Sequence, residues 1–229
     1  MRRRINKHQE NSEQTYRAIV DTAYRLYLQQ GIEGTTIRQI ADEIGTHRTT
    51  VYRYFRSQEE ICFAISRERH TELLKRYDEA LEPYLQRGTG WEKLCMVIRV
   101  GNRMAREYRE LFRFYALFDS FLALRPNQER IGREVSDTFA TDKYIQLKKR
   151  LIEEGIADGS VRDDIDPELA SVTLRAMFVA TWARVDMRYA VFKYLHGITE
   201  PEQVGDTASE IYLAGMRPVS SEIPGEALD

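Results

Sequence analysis

No proline occurs before Pro83, and the other five fall at Pro126, Pro167, Pro201, Pro218 and Pro224. Proline removes a backbone donor and clashes with the preceding helical turn. The long proline-free intervals show apolar residues recurring at three- and four-residue spacing and little strand-type alternation. The chain is therefore predicted to be all-α, with about nine helices over roughly 12–30, 36–43, 47–54, 58–86, 90–106, 108–123, 127–157, 167–195 and 200–215. Capping chemistry supports several of the starts. Thr36-Ile37-Arg38-Gln39 and Ser57-Gln58-Glu59-Glu60 fit the capping box, in which the residue three after the cap reaches back to the cap amide. Asp166-Pro167-Glu168 places a cap, a first-turn proline and an acid at the positive end of the helix dipole. Gly31, Gly45, Gly88, Gly159 and Gly197 stand where helices are expected to stop.

Composition narrows the class. At 229 residues, 42% apolar and 31% charged, the chain is predicted to fold into one large or two small soluble domains. The longest run without Asp, Glu, Lys or Arg is the eight residues Ala176 to Ala183, whereas a membrane helix needs about 20 apolar residues, so no membrane partner is expected. The N-terminus MRRRINKHQE is charged without an apolar core, unlike a secretory signal. Cys62 and Cys95 are too few for a disulfide framework, and a cytoplasmic location is expected. Net charge is −2, but residues 1–60 carry ten Lys/Arg against eight Asp/Glu, so the N-terminal end is locally basic.

Residues 36–55 carry the most specific pattern. Ile37, Ile40, Ala41 and Ile44 lie on one helical face, Gly45 permits a tight turn, and Val51 and Phe55 point inward from a second short helix. Ile19, Ala23, Leu26 and Tyr27 supply an apolar lid. Two short helices joined by a glycine turn make a helix-turn-helix, whose second helix enters the major groove, where base pairs present distinct donors and acceptors. An ordinary helical hairpin with a polar outer face has the same pattern, and periodicity alone does not separate the two.

The strings Gly31-Ile32-Glu33-Gly34-Thr35-Thr36-Ile37-Arg38-Gln39-Ile40-Ala41, then Gly45, then Thr50-Val51-Tyr52-Arg53-Tyr54-Phe55-Arg56-Ser57-Gln58-Glu59-Glu60-Ile61 resemble the N-terminal domain of the TetR family of transcriptional regulators over roughly residues 15–62. Residues 155–170 resemble the loop before helix 8 of that family. The resemblance implies that Thr36 and Tyr54 hold phosphates, that Arg38, Arg48, Thr49 and Thr50 reach base edges or nearby backbone, and that Tyr52 packs or touches backbone. His47 belongs to the same surface, and the helix beginning at Gln58 points free amides at a phosphate. Four positions depart from the family pattern. His47 caps poorly where a serine-like cap is usual, with Thr46 as a substitute cap. Thr49 replaces a frequent glycine, Gln58 a frequent lysine and Ile44 a frequent alanine. Arg2, Arg3 and Arg4 suit either a minor-groove arm or a solvated terminus.

The expected organisation is a flexible basic arm over 1–11, the DNA-binding domain over 12–57, a ligand-binding and dimerisation domain over 58–217 and a disordered tail over 218–229. Family resemblance places an effector cavity among helices 4 to 8. The aromatic and polar residues Trp91, Asn102, Phe114, Tyr115, Phe118, Tyr144, Phe178 and Trp182 are the candidates to line it, although for any one of the aromatics core packing is the simpler reading. Asp119, Arg175, Arg184 and Asp186 are further polar candidates, each also readable as a surface group. The eighth and ninth predicted helices, with stripes Leu169, Val172, Ala176, Val179, Ala180, Ala183 and Ala208, Ile211, Tyr212, Gly215, match the family's homodimer interface. The scattered histidines His8, His47, His70 and His196 give no metal spacing, and no nucleophile elbow or phosphate loop occurs, so neither cofactor nor catalysis is expected. The chain is expected to be a ligand-responsive regulator, most simply a repressor, that binds a palindromic operator as a dimer and is released by a small-molecule inducer. A helical interaction module or an enzyme of unfamiliar type is the alternative.

Overall fold

The computed structural model describes residues 2–139 and 143–218, with side chains for 11–135, 143–185 and 187–218. The described residues form eleven α-helices, one 3-10 turn and no strand. The helices are α1 (Arg2–Gln30), α2 (Ile37–Glu43), α3 (Arg48–Tyr54), α4 (Gln58–Leu81), α5 (Gly90–Glu107), α6 (Arg109–Ala123), α7 (Gln128–Phe139), α8 (Lys143–Ala157), α9 (Pro167–Met187), α10 (Tyr189–His196) and α11 (Glu202–Ala214). The all-α expectation holds, but about nine helices becomes eleven. The single helix expected over 127–157 is two, α7 and α8. The one expected over 167–195 breaks at Arg188, whose φ of −113° and ψ of 19° leave the helical region. The Arg188 break carries no proline or glycine, so composition gave no sign of it. The first helix starts at Arg2 rather than near residue 12. The Arg2–Arg4 side chains and the tail from 219 lie outside what is described.

Two compact bodies make up the chain: residues up to 74 with those from 110 to 139, and residues 75–109 with those from 143 onward. In the first, α1 buries Ile19, Val20, Ala23, Leu26 and Tyr27, α2 buries Ile40 and Ala41, and α3 buries Val51. The start of α4 is buried on every side, because six consecutive residues from Ile61 to Ser66 are all at or near zero exposure. Such a segment needs neighbours all round. One of them is α6, where Phe118 meets Phe63 edge-on with ring centroids 5.0 Å apart and stacks on Phe114 at 5.8 Å. Burial pushes the Cys62 thiol far above its ordinary range, so it stays protonated and inert.

The second body is held by a close crossing and a polar cluster. Gly90 opens α5 against Gly155 near the end of α8; a Cβ there would stand 2.5 Å from the Leu151 carbonyl oxygen and 2.6 Å from the Gly155 Cα. The loop after α8 then caps α5. Asp158 Oδ2 accepts the Gly90 N–H at 2.8 Å and Ser160 Oγ accepts the Trp91 N–H at 3.1 Å, while Thr89 and Glu92 complete a capping box. Hydrogen bonds from Ser160 and from the Gly90 backbone hold the Asp158 carboxyl below its ordinary range. Farther along α5, Asn102 is 5% exposed. Its Oδ1 accepts from Trp182 Nε1 at 3.2 Å and Ser209 Oγ at 3.0 Å, and its Nδ2 donates to Asp206 at 3.0 Å. Arg106 grips both oxygens of Asp206 at 2.7 and 2.9 Å. One asparagine thus joins α5, α9 and α11.

Two outcomes follow from this packing. Gly90→Ala has only backbone to push against, and is expected to cost about 3 kcal/mol or more. Asn102→Ala leaves the Trp182 N–H buried without an acceptor, while Ser209 keeps the Gly205 carbonyl, and is expected to cost about 2 kcal/mol. Urea unfolding at fixed protein concentration measures both.

Candidate nucleic-acid interface and effector region

The turn between α2 and α3 is closed by backbone bonds. Gly45 adopts φ +68°, and the Thr46 N–H reaches back to the Ala41 carbonyl at 2.9 Å. Thr36 caps α2, accepting the Gln39 N–H at 3.2 Å while Gln39 Oε1 accepts the Thr36 N–H at 2.8 Å. The capping box expected at this position is present. The α3 cap is His47, in extended conformation, and no side chain caps the helix. Thr46 therefore does not take over the cap. Its φ/ψ-defining neighbour His47 occupies that position and its ring lacks an oxygen to receive the amides.

α3 is oriented by its inner face. Val51 and Phe55 are buried, and Phe55 lies 5.2 Å from the Tyr16 ring on α1. The periodicity then turns Arg48, Thr49, Tyr52 and Arg53 outward; all four are exposed, Tyr52 at 50%. Arg38 on α2 is exposed too, with 83% of its side chain accessible and only a loose ion pair to Asp42 at 3.6 Å. His47 and Thr36 are exposed, whereas Thr50, Tyr54 and Gln58 are half-buried. Tyr54 shares a hydrogen bond with Ser12 at 3.2 Å, and the Gln58 side-chain amide donates to the Thr35 carbonyl. Gln58 is thereby tied to the start of α2. The helix-turn-helix puts these nine candidates on one small three-helix unit together with Arg53, which site assignment from the sequence omitted although its outward position follows from the spacing of Val51 and Phe55.

Residues 19–65 match the bacterial regulatory proteins of the tetR family. Over those residues the chain carries a TetR-type N-terminal domain. It resembles the fatty acid metabolism regulator protein of Bacillus subtilis, with 22% identity over 188 residues, covering 81% of this chain and 92% of that protein. It is 27% identical over 174 residues to the transcriptional repressor KstR2 of Rhodococcus jostii, covering 72% and 78% of the two chains. The crystal structure of the B. subtilis regulator FadR, solved with stearoyl-CoA, superposes with a TM-score of 0.65 at 20% identity over 88% of this chain and all of that one. The similarity to these regulators extends well beyond the matched N-terminal residues.

The eight effector candidates are divided between the two bodies. Phe114, Tyr115 and Phe118 belong to the first body. Phe114 and Phe118 are core residues, and Tyr115 bonds His70 Nδ1 at 3.2 Å. Asn102 and Trp182 are engaged in the polar cluster of the second body, Phe178 lies against Gly101, and the half-buried Trp91 carries Arg217 over its ring at 5.2 Å. Tyr144 alone among them lines the cavity of about 460 Å³ in the second body, beside Leu81, Leu85 and Leu147. There its hydroxyl donates to Asp78 at 2.6 Å. Burial opposes charge on Asp78, but hydrogen bonds from Lys143 and Tyr144 overcome it and hold the carboxyl below its ordinary range. Of the other polar candidates, Asp119 and Arg184 are exposed and Arg175 is half-buried; the Asp186 side chain lies outside what is described. No group of three or more His, Cys, Asp or Glu suited to a metal occurs, and no helix is long and apolar enough to cross a membrane, among the described residues.

The uncapped start of α3 gives a direct expectation. His47→Ser supplies the missing acceptor and should raise stability by about 0.5–1 kcal/mol, read as an upward shift in the unfolding midpoint. An unchanged midpoint would show that the α3 amides already have partners.

Proposed function

We propose that the protein is a dimeric, ligand-responsive transcriptional regulator, acting as a repressor in the cytoplasm. It reads a palindromic double-stranded operator through residues 12–57 and receives a small-molecule inducer through residues 58–217. The single observation that supports DNA reading most directly is the outward face of α3, where Arg48, Thr49, Tyr52 and Arg53 stand exposed opposite the buried Val51. Arg38 and Arg48 are suited to bidentate contacts with guanine, Thr49 and Thr50 to base edges or backbone, and Thr36, Tyr54 and the Gln58 helix start to phosphates. Gln58 spends its side-chain amide on the Thr35 carbonyl, which leaves it the backbone N–H at the helix start, whereas the amide and hydroxyl of Thr36 both donate to Gln39 Oε1 and have to exchange that acceptor for a phosphate oxygen.

A single unit of this kind reads few base pairs, and two copies read half-sites about 34–36 Å apart. The outward side of α9 supports a two-fold contact. Leu169, Val172, Ala176, Ala180 and Met187 are exposed along it, as is Ile211 on α11. Ala183 and the half-buried Val179, expected on that stripe, turn instead toward the protomer's own interior. Stearoyl-CoA in the related FadR structure supports a lipophilic effector for the second function, and the aromatic interior suits one. Binding of the effector is proposed to displace α4, whose residues belong to both compact bodies, so that the recognition helices no longer match the operator. Swinging the population from 1:99 to 99:1 takes about 5.5 kcal/mol of differential binding.

Selection of preferred sites from random double-stranded DNA tests this reading. A palindromic consensus with half-sites one turn apart is expected, and folded, ligand-free protein that enriches nothing would overturn it. On the selected site, Arg48→Ala should lose about 1–3 kcal/mol of discrimination at one base position. Deleting residues 2–8 should flatten the dependence of affinity on salt if Arg2–Arg4 touch phosphates. An unchanged slope removes them from the interface.

A further inference from the structure

We propose that the cavity between the end of α4 and the start of α8 takes the effector as a lipophilic organic cation, whose positive group replaces the Lys143 ammonium on Asp78. The proposal rests on the ligand-responsive reading above and names the effector's chemical class. The cavity, of about 460 Å³, lies wholly within the second body and has the size of a small-molecule site. Leu81, Leu85 and Leu147 give it an apolar wall, against which the apolar part of a ligand leaves water.

Three observations assign the charge. The lining carries the carboxylates Asp78, Glu79 and Glu82 against the cations Lys143 and Arg150. Lys143 bonds Asp78, which leaves two acids against Arg150, and Glu79 makes only a loose pair with Arg76 at 3.9 Å. Second, the chain's own ammonium already occupies the place of a cation. Lys143 Nζ is bonded to Asp78 and stands 5.6 Å from the centre of the Tyr144 ring, and a carboxylate beside an aromatic face is a receptor for an ammonium. The ring is buried and meets Tyr77 at 4.3 Å, and its hydroxyl donates to the same carboxylate at 2.6 Å. Third, the lysine is exchangeable. The Lys143 and Asp78 side chains are 55% and 48% exposed, and exposed ion pairs contribute little. A cation with an apolar body adds burial against the leucines. Asp78 belongs to α4 and Lys143 opens α8, so the exchange unties α8 from the helix proposed to carry the signal.

Isothermal titration calorimetry of the full chain with decyltrimethylammonium, decanoate and decanol tests this. The ammonium is expected to bind at a single site on each chain, at least about tenfold more tightly than either of the others. Asp78→Asn, which keeps an acceptor for Tyr144, and Glu82→Gln, on an exposed side chain, should each weaken the ammonium at least about threefold and leave decanol unchanged. Lys143→Met removes the competitor and should tighten the ammonium, which a merely structural lysine would not do. Decanoate or decanol binding as tightly as the ammonium overturns the charge assignment. An ammonium whose affinity neither carboxylate variant changes overturns the site. Because calorimetry needs no DNA, either result leaves the ligand-responsive reading to stand by itself. Ammonium that binds through Asp78 yet leaves affinity for the selected operator unchanged overturns its role as effector. A folded chain that selects no operator overturns the reading above, and the effector role with it, whatever the calorimetry gives.

Discussion

The surface proposed to read DNA depends on how one short helix is held. α3 has seven residues and no side-chain cap, too few for stability from backbone hydrogen bonds alone. Its position is fixed by Val51 and Phe55, which insert beneath it, and by the Tyr16 ring of α1 against Phe55. Everything outward on α3 takes its direction from those inward contacts. The Gly45 turn and the Thr36 capping box then set where α2 stops and starts, and the Gln58 side chain ties the opening of α4 to the Thr35 carbonyl. Four local devices thus fix a small unit whose exposed face remains available for a ligand as large as a duplex.

The second body is stabilised by different means. α5 and α8 approach through Gly90 and Gly155, so their backbones nearly touch, and the loop carrying Asp158 and Ser160 supplies acceptors for the first amides of α5. The Asn102 cluster adds specificity, because a buried amide that satisfies Trp182, Ser209 and Asp206 together does so in only one arrangement of α5, α9 and α11. Gly205 belongs to the same arrangement. A Cβ there would meet the Trp182 ring at 2.5 Å.

What could be read from the sequence was local chemistry. The caps at Thr36 and Asp166, the left-handed glycines and the inward positions of α3 all depend on residues within one or two turns, and all stand where the periodicity put them. What was hidden depends on partners far away in the chain. The break at Arg188 has no breaker residue. Trp182 finds its acceptor 80 positions away, so an aromatic that could as well have lined a cavity is committed to the core. Ala183 and Leu169 look alike in a helical stripe, and the positions of α8 and α11 beside α9 decide which faces inward. The same limit applies to the effector candidates. Aromatic content identifies apolar interior but does not divide it between two bodies.

That division constrains the proposed signalling. α4 is one continuous helix from Gln58 to Leu81, with its first part in the first body and its last residues in the second. Residues 61–66 are buried on every side, and close-packed interiors do not yield to a sliding or turning helix without losing contacts. The start of α4 therefore cannot move independently of the core around it. A displacement imposed near Asp78 and Leu81, where the cavity lies, has to be absorbed by bending α4 between residues 66 and 78 or be carried into the first body as a whole. Nothing in that stretch is a proline or glycine, so bending has no breaker to exploit. Under the proposed signalling, an unbroken α4 would act as a lever rather than a hinge.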